Sequence, residues 1–206
     1  MTKILFLRHG PTDWNAEGRV QGQTDVPLSD VGRKSVQGWR LPPFAAGWEW
    51  YASPLRRAVE TATLLGTDPA RLHLDDRLKE IDWGDWEGAI LQELRAEQGE
   101  AMRRIEARGL DMAPPNGESP RQLTKRLAEW LVEAAARRRD ICAVCHAGVL
   151  RGAYTLATGW DMRRAAPLER GHAWAHLYGL GPDGTLTPET LNIRLADREP
   201  PSGYDR

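Results

Sequence analysis

Short apolar runs alternate with helix-length stretches along this chain, and that alternation constrains its fold more than any other feature. Residues 3–7 read as a first strand, residues 48–52 as a second, Leu72–Leu74 as a third and Ile141–Cys145 as a buried fourth. Between them, Ser29 reads as the cap of a helix reaching Trp39, and Ser53-Pro54 as an N-cap with Pro at the first helical position, opening a helix that Gly66 ends. Helical stretches fall between Ala89 and Arg108. Ser119-Pro120 repeats the cap signature before a helix running to about Arg139, where three arginines suit the negative end of the helix dipole. A helix from about Val149 to Thr158 follows, then a hairpin around residues 181–184. Strands that alternate with helices predict an α/β fold with a largely parallel sheet. The long Gly- and Pro-rich segment of residues 8–28 reads as a loop, and loops of that length are often functional.

With 206 residues and 41% apolar content, the chain can bury roughly 70% of its unfolded surface. We read residues 1–206 as a single domain whose polar end, from about residue 196, is a loose tail. The 28 Lys and Arg against 29 Asp and Glu leave a net charge of −1, so the overall balance points neither to nucleic acid nor to an anionic membrane. Any anion site must be local. The first apolar run, residues 4–7, is shorter than the roughly seven to fifteen residues of a signal-peptide core. No stretch approaches the roughly 18 apolar residues of a membrane span, so the expected compartment is cytoplasmic. Two cysteines are too few for a disulfide framework, and a homodimer is left open.

The candidate chemistry sits at strand-to-helix junctions. Arg8 and His9 follow the first strand, Arg57 lies in the first turns of the helix after the second, and His146 follows Ile141–Cys145. Open α/β sheets bind ligands beyond the carboxyl ends of their strands. Three junctions therefore deliver two arginines and two histidines toward one edge. Guanidinium forks match phosphate oxygens, and helix N-termini add backbone N–H donors. The combination asks for a phosphate.

These residues also carry a resemblance. Leu7-Arg8-His9-Gly10-Pro11-Thr12 resembles the R-H-G-x-T signature of the histidine phosphatase superfamily, which includes the cofactor-dependent phosphoglycerate mutases. Asn15 and the run Gly18-Arg19-Val20-Gln21-Gly22 resemble its substrate loop. Ser53-Pro54-Leu55-Arg56-Arg57-Ala58 is similar to S-P-L-x-R-A, and His146-Ala147-Gly148-Val149-Leu150-Arg151 to H-x-G-x-x-R. Leu78-Lys79-Glu80, with Trp86-Glu87-Gly88, is similar to the segment bearing the family's acid. The resemblance spans roughly residues 3–160. It implies a three-layer, phosphoglycerate mutase-like sandwich and a phosphatase whose catalytic residues are His9, Glu80, Arg8, Arg57 and His146. Asn15, Gln21, Gly22 and Ala147 are the implied substrate contacts. It implies a phosphohistidine on His9, Glu80 as acid and base, a small phosphorylated metabolite as partner, and neither metal nor cofactor. Asp82, Asp85 and Glu87 form an acidic cluster around Glu80 that could be a solvated loop; only the resemblance selects Glu80.

Two other readings compete. Phosphoglycerate mutase chemistry would use the same residues, but only 66 positions separate Glu80 from His146, little chain for the larger covering segment a mutase needs. Cys142-Ala143-Val144-Cys145-His146 matches the C-x-x-C-H of c-type haem attachment. On a strand, however, those cysteines point to opposite faces roughly 10 Å apart. The chain departs from commoner family forms at Pro11, at Cys145 and Ala147 around His146, and at His172, for which a strand cap is the simpler expectation and a substrate contact the other. Pro115-Asn116-Gly117-Glu118-Ser119 resembles a segment of small phosphatases, including those acting on α-ribazole phosphate, although Ser119 is equally an N-cap. Trp14, Trp83 and Trp86 fall in the site loops, where core packing is the simpler expectation and a substrate wall the other.

Overall fold

The computed structural model describes residues 2–169 and 171–196. The tail expected from about residue 196 therefore lies almost wholly outside the described residues. Six strands form one sheet in the order β3-β2-β4-β1-β5-β6, where β1 is Thr2–Arg8, β2 Glu49–Ala52, β3 Leu72–Leu74, β4 Ile141–Cys145, β5 Trp174–Leu180 and β6 Leu186–Arg194. The pairs β1–β4, β2–β4 and β2–β3 are parallel, and β5 and β6 add an antiparallel hairpin beside β1. The sheet is thus mixed and mostly parallel.

Both faces are covered because both faces of the central strands are apolar. Every residue of β4 is buried, as expected for a parallel strand sandwiched between helices. Leu5, Leu7, Cys142 and Val144 face one layer, formed by α2 (Asp30–Gln37) and α3 (Arg56–Leu64) through Val36, Ala58 and Ala62. Ile4, Phe6, Ala143 and Cys145 face the other, formed by α5 (Pro120–Ala136) and α6 (Ala147–Thr158) through Leu123, Leu127, Trp130 and Val149. The result is the expected three-layer sandwich. The two cysteines lie on opposite faces, both buried and unbridged.

Several expected boundaries move. Ser53 does not cap α3: its backbone N–H is held by the Val144 carbonyl at 3.0 Å, continuing the β2–β4 ladder, so the helix starts at Arg56 with Leu55 as its cap. The loop of residues 8–28 contains a short helix, α1 (Asp13–Glu17), closed by a capping box between Thr12 and Asn15. The helix after β4 begins at Ala147, directly on His146, and α5 stops at Ala136, before the arginines. The stretch between Ala89 and Arg108 contains α4 (Leu91–Glu106), broken at Gly99, whose backbone leaves the helical region with φ 50°. Ser29 does cap α2, accepting from Gly32 N–H at 2.9 Å. Among the described residues, no helix is long and apolar enough to cross a membrane.

Candidate active site

The helix after β1 packs on one face of the sheet and the helix after β4 on the other, so the two chain directions diverge where these neighbouring strands end. Such a divergence opens a crevice at the carboxyl edge of the sheet. Arg8, the last residue of β1, and His9 lie there, and His9 N–H donates to the Cys145 carbonyl at 3.0 Å, which fixes the two strand ends together. Arg57 enters from the first turn of α3 and His146 from the N-cap of α6. The sequence-predicted His9, Arg8, Arg57, Asn15, Gln21, Gly22, Glu80 and Ala147 all line one cavity of about 500 Å³. His146 sits just beneath it, its ring centre 5.1 Å from that of His9.

The tautomer of His9 follows from its contacts. Nδ1–H donates to the Gly10 carbonyl at 2.7 Å, which leaves the lone pair on Nε2. Burial, and then the charges of Arg57 and Arg8 and the neighbouring imidazoles, hold the ring well below its usual titration range, so it is neutral at physiological pH. Its loop is tied from two sides: Gly10 N–H donates to Thr61 Oγ1 at 2.9 Å, and His172 Nδ1–H donates to the His9 carbonyl at 2.6 Å. The His172 side chain therefore braces the His9 backbone instead of capping a strand.

Arg57 is fully buried. Its Nη1 and Nη2 donate to the carbonyls of Thr24 and Gly22 at 2.8 and 2.7 Å, leaving Nε without a partner among the described residues. Burial lowers it to about 10, so it keeps its charge at neutral pH. His146 is also fully buried, neutral through burial and the same two arginines, and neither ring nitrogen finds a partner among the described residues. Gln21 Oε1 is likewise unpartnered. Buried polar atoms are seldom left unpaired without a reason, and a cluster of them around a cationic pocket fits an anion with several oxygens.

Glu80 is separated from its acidic neighbours by position. Its carboxylate accepts from Gly148 N–H at 2.9 and 3.1 Å and from Ile81 N–H at 2.9 Å, at the N-terminus of α6. A Cβ on Gly148 would lie 2.1 Å from Glu80 Oε1, so only glycine lets the carboxylate come this close. Asp82 accepts from Gly84 N–H, Asp85 from the Asn116 amide, and Glu87 from the N–H groups of Gln23 and Thr24. None of those three lines the cavity. Glu87 instead clamps the loop that carries Gln21 and Gly22. Asn15 lines the cavity, but its Oδ1 is used by Thr12 N–H and Oγ1, leaving the amide end for a ligand.

Sequence reasoning missed Arg126, whose Nη2 donates to the Glu80 carbonyl at 3.0 Å while its fork holds Glu118. Arg126 is one of two arginines in α5, and no spacing marks it. In residues 115–119, which resemble a segment of small phosphatases, Glu118 pairs with Arg126 and Ser119 is the N-cap of α5. A wider hollow of about 870 Å³ lies at the opposite end of the sheet, lined by Thr2, Glu49, Arg139 and Asp140 among others, with no histidine.

Comparison with known proteins agrees with this geometry. The sequence pattern of the histidine phosphatase superfamily (branch 1) matches residues 4–185. A phosphoglycerate mutase-like protein 4 of Arabidopsis thaliana is 35% identical over 162 residues, 75% of this chain and 70% of that protein. The metal-independent phosphoserine phosphatase of the same plant is 33% identical over 170 residues, 77% and 69% of the two chains. The native structure of a mycobacterial glucosyl-3-phosphoglycerate phosphatase superposes with a TM-score of 0.73 at 26% identity, covering 95% of this chain and 99% of that one.

Proposed function

Since the chain belongs to branch 1 of the histidine phosphatase superfamily, we propose that it hydrolyses small phosphate monoesters through a covalent phosphohistidine on His9. The observation that carries this reading is the His9 tautomer: a neutral ring, its proton held on Nδ1 by Gly10, with the nucleophilic lone pair on Nε2 beside Arg8 and Arg57. Phosphoryl transfer asks mainly for positioning and charge stabilisation. Arg8, Arg57 and His146 bind the phosphoryl oxygens. His9 Nε2 bonds to phosphorus as the ester P–O bond breaks, and Glu80 delivers a proton to the departing oxygen, releasing an alcohol. Glu80 then removes a proton from water as it attacks the phosphohistidine, which returns orthophosphate and free His9. Gly148 and Ile81 N–H groups aim the Glu80 carboxyl for both steps. Named phosphatases among the relatives, one of them metal-independent, support hydrolysis over mutase transfer and a small phosphorylated metabolite as substrate.

Rapid quench of the enzyme with ³²P-labelled substrate into alkaline detergent should trap one base-stable phosphoryl group per chain, which is then lost on brief acid treatment. His9→Ala should lose that label and about 10⁴-fold or more of turnover, with an unchanged circular dichroism spectrum. Label retained in His9→Ala would overturn the assignment.

A further inference from the structure

The cavity is far larger than a phosphoryl group, and its outer part differs in kind from its floor. Trp14 on α1, Trp83 in the loop after Glu80, Leu91 and Met102 on α4, Met112, and Met162 beyond α6 line it. Met102 is buried, but Trp14, Trp83, Met112 and Met162 are only half-buried and present apolar surface to the cavity, Trp83 while its other side packs against the core. Trp83 is held nearly parallel to Trp86, at 6.0 Å and 17°, which fixes its orientation. Methionines adapt to irregular apolar shapes.

Three arginines line the outer part of the cavity, Arg19, Arg95 and Arg151, and the first two are engaged by the protein's own acids. Arg95 is committed to Glu106 through Nε and Nη2 at 2.8 and 2.7 Å. Arg19 is committed to Glu17 and to the Gly88 carbonyl. A substrate carboxylate at Arg19 or Arg95 would have to compete with Glu17 or Glu106 for the guanidinium, and an exposed pair returns little for the exchange.

The geometry points to a phosphate monoester whose leaving group carries an extended apolar or aromatic moiety, seated on the tryptophan and methionine wall, in place of a compact anionic metabolite such as a phosphoglycerate or a phosphoamino acid. This inference rests on the phosphatase reading and adds its substrate class. Each methylene moved from water onto such a wall raises kcat/KM about threefold to fourfold, so selectivity accumulates quickly with chain length.

A series of n-alkyl monophosphates from ethyl to hexyl tests this, because their leaving alcohols have nearly equal basicity and the chemistry is constant along the series. kcat/KM should climb about threefold or more per methylene, with O-phosphoserine and glycerol 3-phosphate below the butyl ester. Met162→Asp and Met112→Asp should flatten the slope, and Met162→Gln, a gentler change, should reduce it partway. A flat series with clear turnover of every ester overturns the apolar-substrate inference and leaves the phosphatase intact. A rising series whose slope ignores the properly folded methionine variants overturns the wall as its cause. Absence of turnover on all esters, p-nitrophenyl phosphate included, overturns the phosphatase reading and this inference with it.

Discussion

The floor and the wall of the cavity are built by different parts of the chain. The two histidines of the floor are set by the sheet: His9 and His146 directly follow adjacent strands, and a backbone bond between His9 and Cys145 locks the two ends in register. The wall comes from α1, the broken helix α4 and the loops around residues 83, 112 and 162, which meet through tertiary packing; a Cβ on Gly109, for example, would lie 2.4 Å from the Asp161 carbonyl. The floor is charged, buried and rich in unpaired polar atoms, whereas the wall is apolar and half-exposed. On the proposed function, rigid elements carry the chemistry and connecting segments the choice of substrate.

That division predicts two kinds of variant. Floor variants should slow every ester, with a dependence only on the chemistry of the leaving oxygen. The largest such effect after loss of His9 is expected for Glu80→Gln, because an alkoxide leaves poorly without a proton while a stable phenolate needs little help. Single-turnover release should fall about 10²- to 10⁴-fold for an alkyl phosphate and only mildly for p-nitrophenyl phosphate. Equal losses for both would remove Glu80 from the acid role. Next in size is Arg57→Lys, which keeps the charge but loses the planar fork that bonds Gly22 and Thr24 and aims Nε inward. A loss of about 10²- to 10³-fold, the same for ethyl and hexyl phosphate, is expected. A loss that grows with chain length would blur the boundary between floor and wall.

The sequence made the floor legible because junction residues are fixed by topology: once strands end at Leu7 and Cys145, the residues just beyond them must meet at the sheet edge. Glu80 was legible only by resemblance, since four acids crowd residues 80–87 and nothing local says which one α6 will receive. The fold class came from alternation, but the antiparallel β5 and β6 contributed only their hairpin turn to the reading. Ser53 misled because a cap signature was outweighed by one more rung of the ladder. The wall was hidden for a different reason. Met102, Met112 and Met162 share no spacing, and three tryptophans near a site are as compatible with a core as with a ligand.

The smallest expected effect concerns acidity, and it separates the floor from a buried histidine that belongs to neither region. His9 and His146 are held neutral in the fold, and His176, on β5, is lowered to about 4 by burial. In the unfolded chain each takes up a proton near 6.5. Below that value the unfolded state binds more protons, so stability rises with pH and is lost as pH falls. Between about pH 7.5 and about pH 5.5 each group should cost about 1.4 kcal/mol. At roughly 2–4 °C per kcal/mol for a chain of this size, melting measurements resolve each share. Burial depresses His9 and His146 most, and orthophosphate in the floor offsets the arginine charges that add to it, so it should shrink part of their acid-induced loss. It should leave the His176 part alone, because burial, and no arginine, depresses that ring. His176→Gln should accordingly remove one share of the pH slope with and without phosphate. If phosphate left the whole slope unchanged, the floor histidines would not be facing the anion, and the division between floor and wall would fail at its root.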